Sequence, residues 1–427
     1  MVGKKTNRFR FLIPLILISL STSWALATPF IILGYHNVTT SWNSNLMVTT
    51  GSFADAMDFL ANHGYPVVSL DTAMSHIRFG TPLPNNAIVL TFDDNYLGAY
   101  SDGFPIMQSY NFPCTFFVHT FYVGTTLITT GPKPTWNDLR AGEATGLLDV
   151  ESHTWKHVNL TGVSSTSARF ELDTSKRDIE YQLSKQCKYI GYPNGAYNST
   201  VIAIAQDLGY KAGIKANGSF SDSTTPLFEI PRIFINLGDT LNNFKTTIGY
   251  TGGRIAADPY IVNNDGNDDG DFFTFGSGWI TATTTNGLYG AYGSNYHYHS
   301  AGVGANTAKW TPLFEQGAVY DVYAWWTPAA DRATNAKYRI EHKNGYAVVT
   351  VNQQSNGWGW KLLGQYDFPA GSSKSVYLTD ESNGVVVADA IKFVWKAVPV
   401  ELSAFYATVE HSDPIRYHIK RKVFFDK

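Results

Sequence analysis

The sequence predicts an α/β domain built on a largely parallel sheet, open or closed into a barrel, followed by an antiparallel β-sandwich. Three observations predict this division. From Pro29 to about Leu237 short apolar runs alternate with helical stretches, the pattern of strands joined by helices. Around Tyr250 to Pro259 the composition shifts, with Thr251-Gly252-Gly253 and Asp258-Pro259 marking a linker over 251–259. From Tyr260 to Lys396 the chain is rich in Gly, Asn, Thr, Tyr and Trp and shows few helical periods, as a sandwich of short strands requires.

A chain of 427 residues is too long for one ordinary domain, and a formal net charge of -3 gives no sign of a nucleic-acid partner. Charged residues make up only 16% and aromatics reach 15%, which suits a folded, sugar-contacting extracellular protein and not a disordered one. Lys4, Lys5, Arg8 and Arg10 precede the apolar Phe11 to Leu20 and then Ala25-Leu26-Ala27, the three regions of a signal peptide over 1–27. The expected location is therefore secreted, periplasmic or cell-surface. The apolar core is shorter than the ~20 residues of a spanning helix, and no other stretch could cross a bilayer. Thr28, not Cys, follows the expected cleavage site, so a lipoprotein has no residue to acylate. Cys114 and Cys187 are the only cysteines, which excludes a disulfide-rich scaffold; two buried thiols are expected, with a single bridge as the alternative.

In order, Phe30 to Tyr35, Ile88 to Phe92, Thr115 to Val118, Asp149 to Ser152, Tyr189 to Tyr192, Ala212 to Ile214 and Ile230 to Ile235 read as strands. Phe53 to His63 after a Ser52 cap, Ser165 to Lys185 and Ser199 to Leu208 read as helices. In the second part Ala318 to Trp326, Tyr346 to Asn352 and Ser375 to Leu378 are strands. The tail, 397–427, holds one strand-like run, Val400 to Val409, and a basic segment from Arg416 to Lys422.

Chemistry concentrates where strands end, as it does in parallel-sheet folds. Ile88 to Phe92 runs straight into Asp93-Asp94, two adjoining carboxylates that repel unless a cation or a shared proton relieves them, or that merely open a turn. Leu147 to Val150 leads into Glu151-Ser152-His153-Thr154-Trp155-Lys156-His157, whose two His would grip one cation if the segment turned helically, or would be solvated surface side chains. Two His and one carboxylate suit zinc or another divalent transition ion. His36 ends the first strand, Pro193-Asn194-Gly195 forms a turn, and Arg232 inside an apolar strand must find an anion or reach solvent. Asp265-Gly266-Asn267-Asp268-Asp269-Gly270-Asp271 invites a calcium reading but lacks the closing Glu of an EF-hand loop.

Thr91-Phe92-Asp93-Asp94, His153-Thr154-Trp155-Lys156-His157 and Tyr192-Pro193-Asn194-Gly195 resemble, in order and spacing, the first three motifs of NodB-like polysaccharide deacetylases. Tyr35-His36-Asn37-Val38 and Pro231-Arg232-Ile233 resemble the branch that includes biofilm poly-N-acetylglucosamine deacetylases. The resemblance implies a distorted (β/α) barrel over 28–250 that acts on an acetylated polysaccharide. It implies that Asp94, His153 and His157 hold a divalent ion, zinc first, with cobalt, nickel or iron as alternatives. Asp93 would be the general base on the water the ion binds, Arg232 its partner, His36 the proton donor to the leaving amine, and the turn at Asn194 a backbone donor to the oxyanion. Asn194 stands where the family has an aromatic residue, Asn95 replaces the usual Gly, and the late Leu-x-His element is absent. Carbohydrate O-acetyl ester hydrolysis, or polysaccharide binding without strong catalysis, are the competing functions. Residues 260–396 resemble the golvesin C-terminal-like, or Xly-type, module, carried by Ala305-Asn306-Thr307-Ala308-Lys309-Trp310, Tyr323-Ala324-Trp325-Trp326, Arg332-Ala333-Thr334-Asn335-Ala336 and Ala388-Asp389-Ala390-Ile391-Lys392-Phe393-Val394. That resemblance implies a polysaccharide tether. Trp310 and Trp325 are expected in its core, Trp358 and Trp360 on its surface.

Overall fold

A computed structural model describes residues 28–39, 46–127, 130–236, 239–252, 258–264, 271–283, 291–293 and 295–396. The expected leader over 1–27, the acidic residues 265–270 and the tail at 397–427 lie outside the described residues. Asp271, at the end of the acidic stretch, is buried and accepts the Leu313 N–H at 2.5 Å.

The first domain runs β1 (Phe30–Tyr35), β2 (Asn37–Thr39), β3 (Met47–Thr49), α1 (Thr50–Asn62), α2 (Leu70–Phe79), β4 (Ala87–Asp93), α3 (Phe104–Ser109), β5 (Cys114–Val118), β6 (Thr126–Leu127), β7 (Gly131–Pro132), α4 (Trp136–Glu143), β8 (Leu148–Ser152), α5 (Ser165–Leu183), β9 (Tyr189–Gly191), α6 (Ser199–Asp207), β10 (Ala212–Ile214), β11 (Ile233–Phe234) and α7 (Leu241–Thr247). Seven strands form one parallel sheet in the order β10-β9-β8-β5-β4-β1-β11. The sheet curls until its two edges share one segment: Ile230 bridges Ile214 of β10, and three residues later Ile233 pairs with Leu33 of β1. This is the distorted barrel. The expected strand Ile230 to Ile235 shrinks to two paired residues because Pro231 has no N–H to continue a ladder.

Period-two alternation sorts the strand residues onto two faces. Ile31, Leu33, Ile88, Leu90, Phe92, Phe116 and Val150 pack in one cluster with residues of α1, α3, α4, α5 and α6. Phe30, Ile32, Val89, Phe117, Tyr189 and Ile214 form the other, with α2. Cys114 and Cys187 are buried and free. Helix α1 begins before the expected Phe53, because the extended backbone at Thr49 makes Thr49, and not Ser52, the cap: its Oγ1 accepts the Ser52 N–H at 2.9 Å. Helices α2, α3, α4 and α7 were not expected from the sequence. Each is ten residues or fewer, too short to display a clear helical period.

The second domain holds β12 (Tyr260–Asn263), β13 (Phe272–Phe275), β14 (Ile280–Thr283), β15 (Asn295–His299), β16 (Thr307–Thr311), β17 (Ala318–Trp325), β18 (Ala336–His342), β19 (Gly345–Val351), β20 (Lys361–Phe368), β21 (Val376–Thr379), β22 (Val386–Ala388) and β23 (Ala390–Trp395). The pairings between these strands are antiparallel, in sheets ordered β12-β23-β17-β20, β13-β16-β21-β18-β19 and β14-β15-β22. Trp310, Phe314, Tyr320, Phe368 and Phe393 fill the core between them.

The two domains pack directly on each other. Asp55, buried on α1, accepts the Trp360 indole N–H at 2.8 Å and the Lys392 ammonium at 2.7 Å. Lys392 also lies 4.8 Å over the Trp360 ring. Trp325 reaches across to Gly51, where an added Cβ would fall 2.5 Å from its ring, and His63 binds Asp258 at 2.6 Å. Trp360 is therefore an interface side chain and not the exposed aromatic its Gly-rich loop suggested. Trp358 is half-buried, with its peptide N–H donating to the Trp326 carbonyl. Removing the carboxylate alone, by Asp55→Ala, strands a buried ammonium. Urea unfolding followed by tryptophan fluorescence is expected to show a loss of about 3–5 kcal/mol, against about 1 kcal/mol for Trp360→Phe, which forfeits one hydrogen bond.

Candidate active site

The site forms at the carboxyl ends of β1, β4, β5, β8 and β9 and in the segment that closes the barrel. Ala87 and Val89 place alternate β4 residues on the inner face, so Thr91 and Asp93 follow them inward. There Arg232, fully buried, meets Asp93 through two parallel bonds, Nη1 to Oδ1 at 2.7 Å and Nη2 to Oδ2 at 2.5 Å, and donates a third to Thr91 Oγ1 at 3.2 Å. Phe117 and Phe234 lie 5.2 Å and 4.8 Å from the guanidinium. Burial alone would raise the Asp93 pKa, but the charges of Arg232, His153 and His36 and the Arg232 hydrogen bonds bring it down to about 2.

Asp94 leaves the strand with φ 66° and Asn95 follows at 40°, a left-handed pair that Asp and Asn tolerate better than most side chains. This reversal sends the adjoining carboxylates to different partners. Asp94 Oδ1 lies 3.5 Å from His153 Nε2 and 3.3 Å from His157 Nε2, while Asp93 Oδ2 stands 3.7 Å from His153 Nε2. The two His do not sit on a helix as expected. Thr154 and His157 have φ of 68° and 60°, and the Thr154 Oγ1 accepts the His157 N–H at 3.1 Å, so an irregular turn brings the rings together.

Among the described residues, Asp94, His153 and His157 each offer a ligand atom, all within 4.8 Å of one another. The donor set fits a divalent transition ion on three counts. Asp94 Oδ1 is buried without a hydrogen-bond partner. His153 Nδ1 bonds the Gly191 carbonyl at 2.7 Å, which fixes the ring and leaves Nε2 bare toward Asp94. Burial, outweighing the nearby carboxylates, lowers the His153 pKa to about 4, so the imidazole is neutral, as ligation requires.

His36, just past β1, stacks on Phe234 with centroids 4.8 Å apart, and its Nδ1 is buried without a hydrogen-bond partner among the described residues. Burial lowers its pKa against the pull of Asp93 and Asp94. Gly34 permits this stack, since a Cβ there would fall 2.7 Å from the Phe234 ring. Asn194 is exposed, with φ 56°, in the turn after β9; Gly195 and Ala196 commit their N–H groups to Tyr192 and Pro193, whereas the Asn194 N–H takes no partner among the described residues.

Two residues beside Asp94 escaped the sequence reading. His119 follows β5, so the strand-end rule that singled out the others applied to it equally. Burial lowers its pKa to about 3. Lys133 donates to the Asp94 carbonyl at 2.9 Å and sits 3.9 Å over the Tyr96 ring; nothing in its local sequence signals this. Burial brings its pKa down to about 8.

Residues 80–213 match the family model described as polysaccharide deacetylase, and residues 261–395 that of the golvesin C-terminal domain. The chain is 26% identical over 258 residues to the poly-beta-1,6-N-acetyl-D-glucosamine N-deacetylase of Escherichia coli strain K12, covering 51% of this chain and 38% of that protein. It is 36% identical over 121 residues to the xanthan lyase of Bacillus sp. strain GL1, covering 27% of this chain and 13% of that one. The chain thus spans less than half the length of either relative. The solved structure of Streptococcus pyogenes deacetylase PplD in complex with acetate superposes with a TM-score of 0.48 at 26% identity, over 52% of this chain and 99% of that one.

Because the folded Asp93 pKa, about 2, lies below the unfolded value of about 3.9, its pairing contributes stability that is present above pH ~4 and lost as pH falls through ~2. Arg232→Met leaves the carboxylate buried alone, and a loss of about 3–5 kcal/mol is expected at pH 7. The deficit against wild type should narrow between pH 7 and pH 4 in urea unfolding, as the stranded Asp93 takes up a proton.

Proposed function

We propose that this chain, whose first domain belongs to the polysaccharide deacetylase family and whose second is a golvesin C-terminal domain, hydrolyses the N-acetyl groups of a glycan containing N-acetylglucosamine. One observation carries the reading: a single strand end supplies two carboxylates of unlike duty, Asp93 locked to Arg232 and Asp94 facing the imidazoles of His153 and His157. The name of the Escherichia coli relative supports the substrate class.

Asp94, His153 and His157 would hold the ion, zinc first given two imidazoles and one carboxylate. When bound, a divalent ion polarises an acyl oxygen and lowers the pKa of water towards ~7. Asp93 accepts the proton of the attacking water. With its pKa held to about 2 it is too weak a base for ordinary water, which makes an acidified one a requirement of this carboxylate. Arg232 keeps Asp93 ionised and aimed. His36 protonates the departing amine; the lowered pKa that burial gives it makes its protonated form a stronger donor. The Asn194 N–H, uncommitted in its turn, would donate to the acyl oxygen as it gains negative charge.

The leader composition supports action outside the cytoplasm, and no described helix is long and apolar enough to cross a membrane. The second domain would contact polymer. Its support lies on β19, where Tyr346 is 63% exposed with the Arg339 guanidinium 4.8 Å over its ring, an exposed aromatic side chain of the kind that contacts sugars.

Acetate release from N-acetylated and O-acetylated glycans, with and without chelator, tests the assignment. Release from the N-acetylated substrates is expected, abolished by chelator and restored by zinc or cobalt. Asp93→Asn and His36→Ala should each lower kcat/KM by about 10²–10⁴ with the fold intact by circular dichroism. Chelator-resistant release, or full activity in Asp93→Asn, refutes the mechanism; release from esters alone refutes the amide substrate.

A further inference from the structure

Three imidazoles, not two, converge on Asp94 Oδ1. Beside His157 and His153, His119 brings Nε2 to 3.9 Å from the same oxygen, and its ring stands edge-on to His157 with centroids 5.9 Å apart. The His119 side chain is only 5% exposed. Its peptide N–H donates to Asn95 Oδ1 at 3.3 Å, which ties the end of β5 to the left-handed turn carrying Asp94.

The other ring nitrogen decides what His119 can do. In His153, Nδ1 bonds the Gly191 carbonyl and frees Nε2 as a bare ligand atom. In His119, Nδ1 is buried and has no hydrogen-bond partner among the described residues. A proton on that nitrogen would be a buried donor left unmade, more costly than an acceptor left bare. A neutral ring with Nδ1 bare carries its proton on Nε2, on the side of Asp94. That tautomer cannot ligate through Nε2, but it can donate to a carboxylate, and 3.9 Å is within about 1 Å of hydrogen-bond length.

We propose that His119 is a positioning residue of the metal centre, an outer donor that orients the Asp94 carboxylate and so sets how tightly the site holds a divalent cation. The inference rests on the metal-dependent reading above. Metal ligands in proteins are commonly held by such second partners, and losing one weakens affinity about 10–100-fold.

The test compares His119→Gln, which keeps an N–H donor, with His119→Met, which has similar length and no donor. Thermal unfolding of the metal-free full chain serves as the fold control, and His119→Phe is a second donor-free variant if Met does not fold. Cobalt(II) affinity is measured by competition with a chromophoric chelator, alongside the visible spectrum of the cobalt-loaded protein. The expected result is about 10–100-fold weaker binding in the donor-free variant, most of it recovered in Gln, with the cobalt bands of all three proteins unchanged because the ligand set is the same. Equal affinity in the donor-free variant would reduce His119 to packing against Tyr122 and overturn the proposal. A changed band pattern would make His119 itself a ligand and overturn it equally. Wild type that takes up no cobalt would instead defeat the metal-dependent reading on which the proposal stands.

Discussion

The buried pair between Asp93 and Arg232 is the contact on which the rest of the first domain depends. Arg232 lies in the segment that bridges β10 and then pairs with β1, so the side chain that neutralises Asp93 at the end of β4 also belongs to the stitch closing the barrel. Neither ion could be buried alone. A lone guanidinium or carboxylate in this interior would carry an uncompensated desolvation cost, and the two are placed so that both pairs of heavy atoms meet. Phe117 and Phe234 cover the guanidinium, and Phe234 in turn carries His36 on its other contact. The barrel closure and the candidate site thus share one set of side chains.

Around that pair, several residues take left-handed backbone. Asp94, Asn95, Thr154, His157 and Asn194 all take positive φ without being glycine, and all lie at strand ends facing the site. Conformations of this kind persist where surrounding contacts over-determine them. Here the contacts are visible: Lys133 on the Asp94 carbonyl, His119 on Asn95, Thr154 on the His157 N–H. They convert two adjacent carboxylates, which would otherwise repel, into groups with separate partners.

The golvesin domain is seated on α1 through Asp55, Lys392, Trp360 and Trp325. Helix α1 follows β3, which pairs with β2, and β2 follows His36 directly. The second domain is therefore packed against the element that extends from the His36 end of β1. A polymer held by that domain would meet the deacetylase domain at a fixed distance, unlike one held on a loose tether.

Much of this was legible in the sequence. Apolar runs with Val, Ile and Phe marked β1, β4, β5, β8, β9 and β10 to within two residues at either end, because a strand buried on both faces must be apolar throughout. The polar residues that interrupt those runs, Asp93, Asp94, His153 and His36, stood out against them. Trp310 was assigned to the sandwich core and is fully buried there. What the sequence did not disclose depends on partners remote along the chain. Trp360 sits in a Gly-rich loop that suggests exposure, yet its indole bonds Asp55, 305 residues away. Lys133 meets the Asp94 carbonyl across 39 residues and His119 meets Asn95 across 24. The His pair has helical spacing, but two positive φ values and not a helix bring its rings together. Periodicity and burial preference are properties of neighbouring residues, so the sequence by itself determined the strands, their ends and the chemical groups gathered at them. Which carboxylate faces the guanidinium and which the imidazoles was decided only when the barrel closed, because that choice rests on a reversal of backbone hand held in place by side chains from other strands.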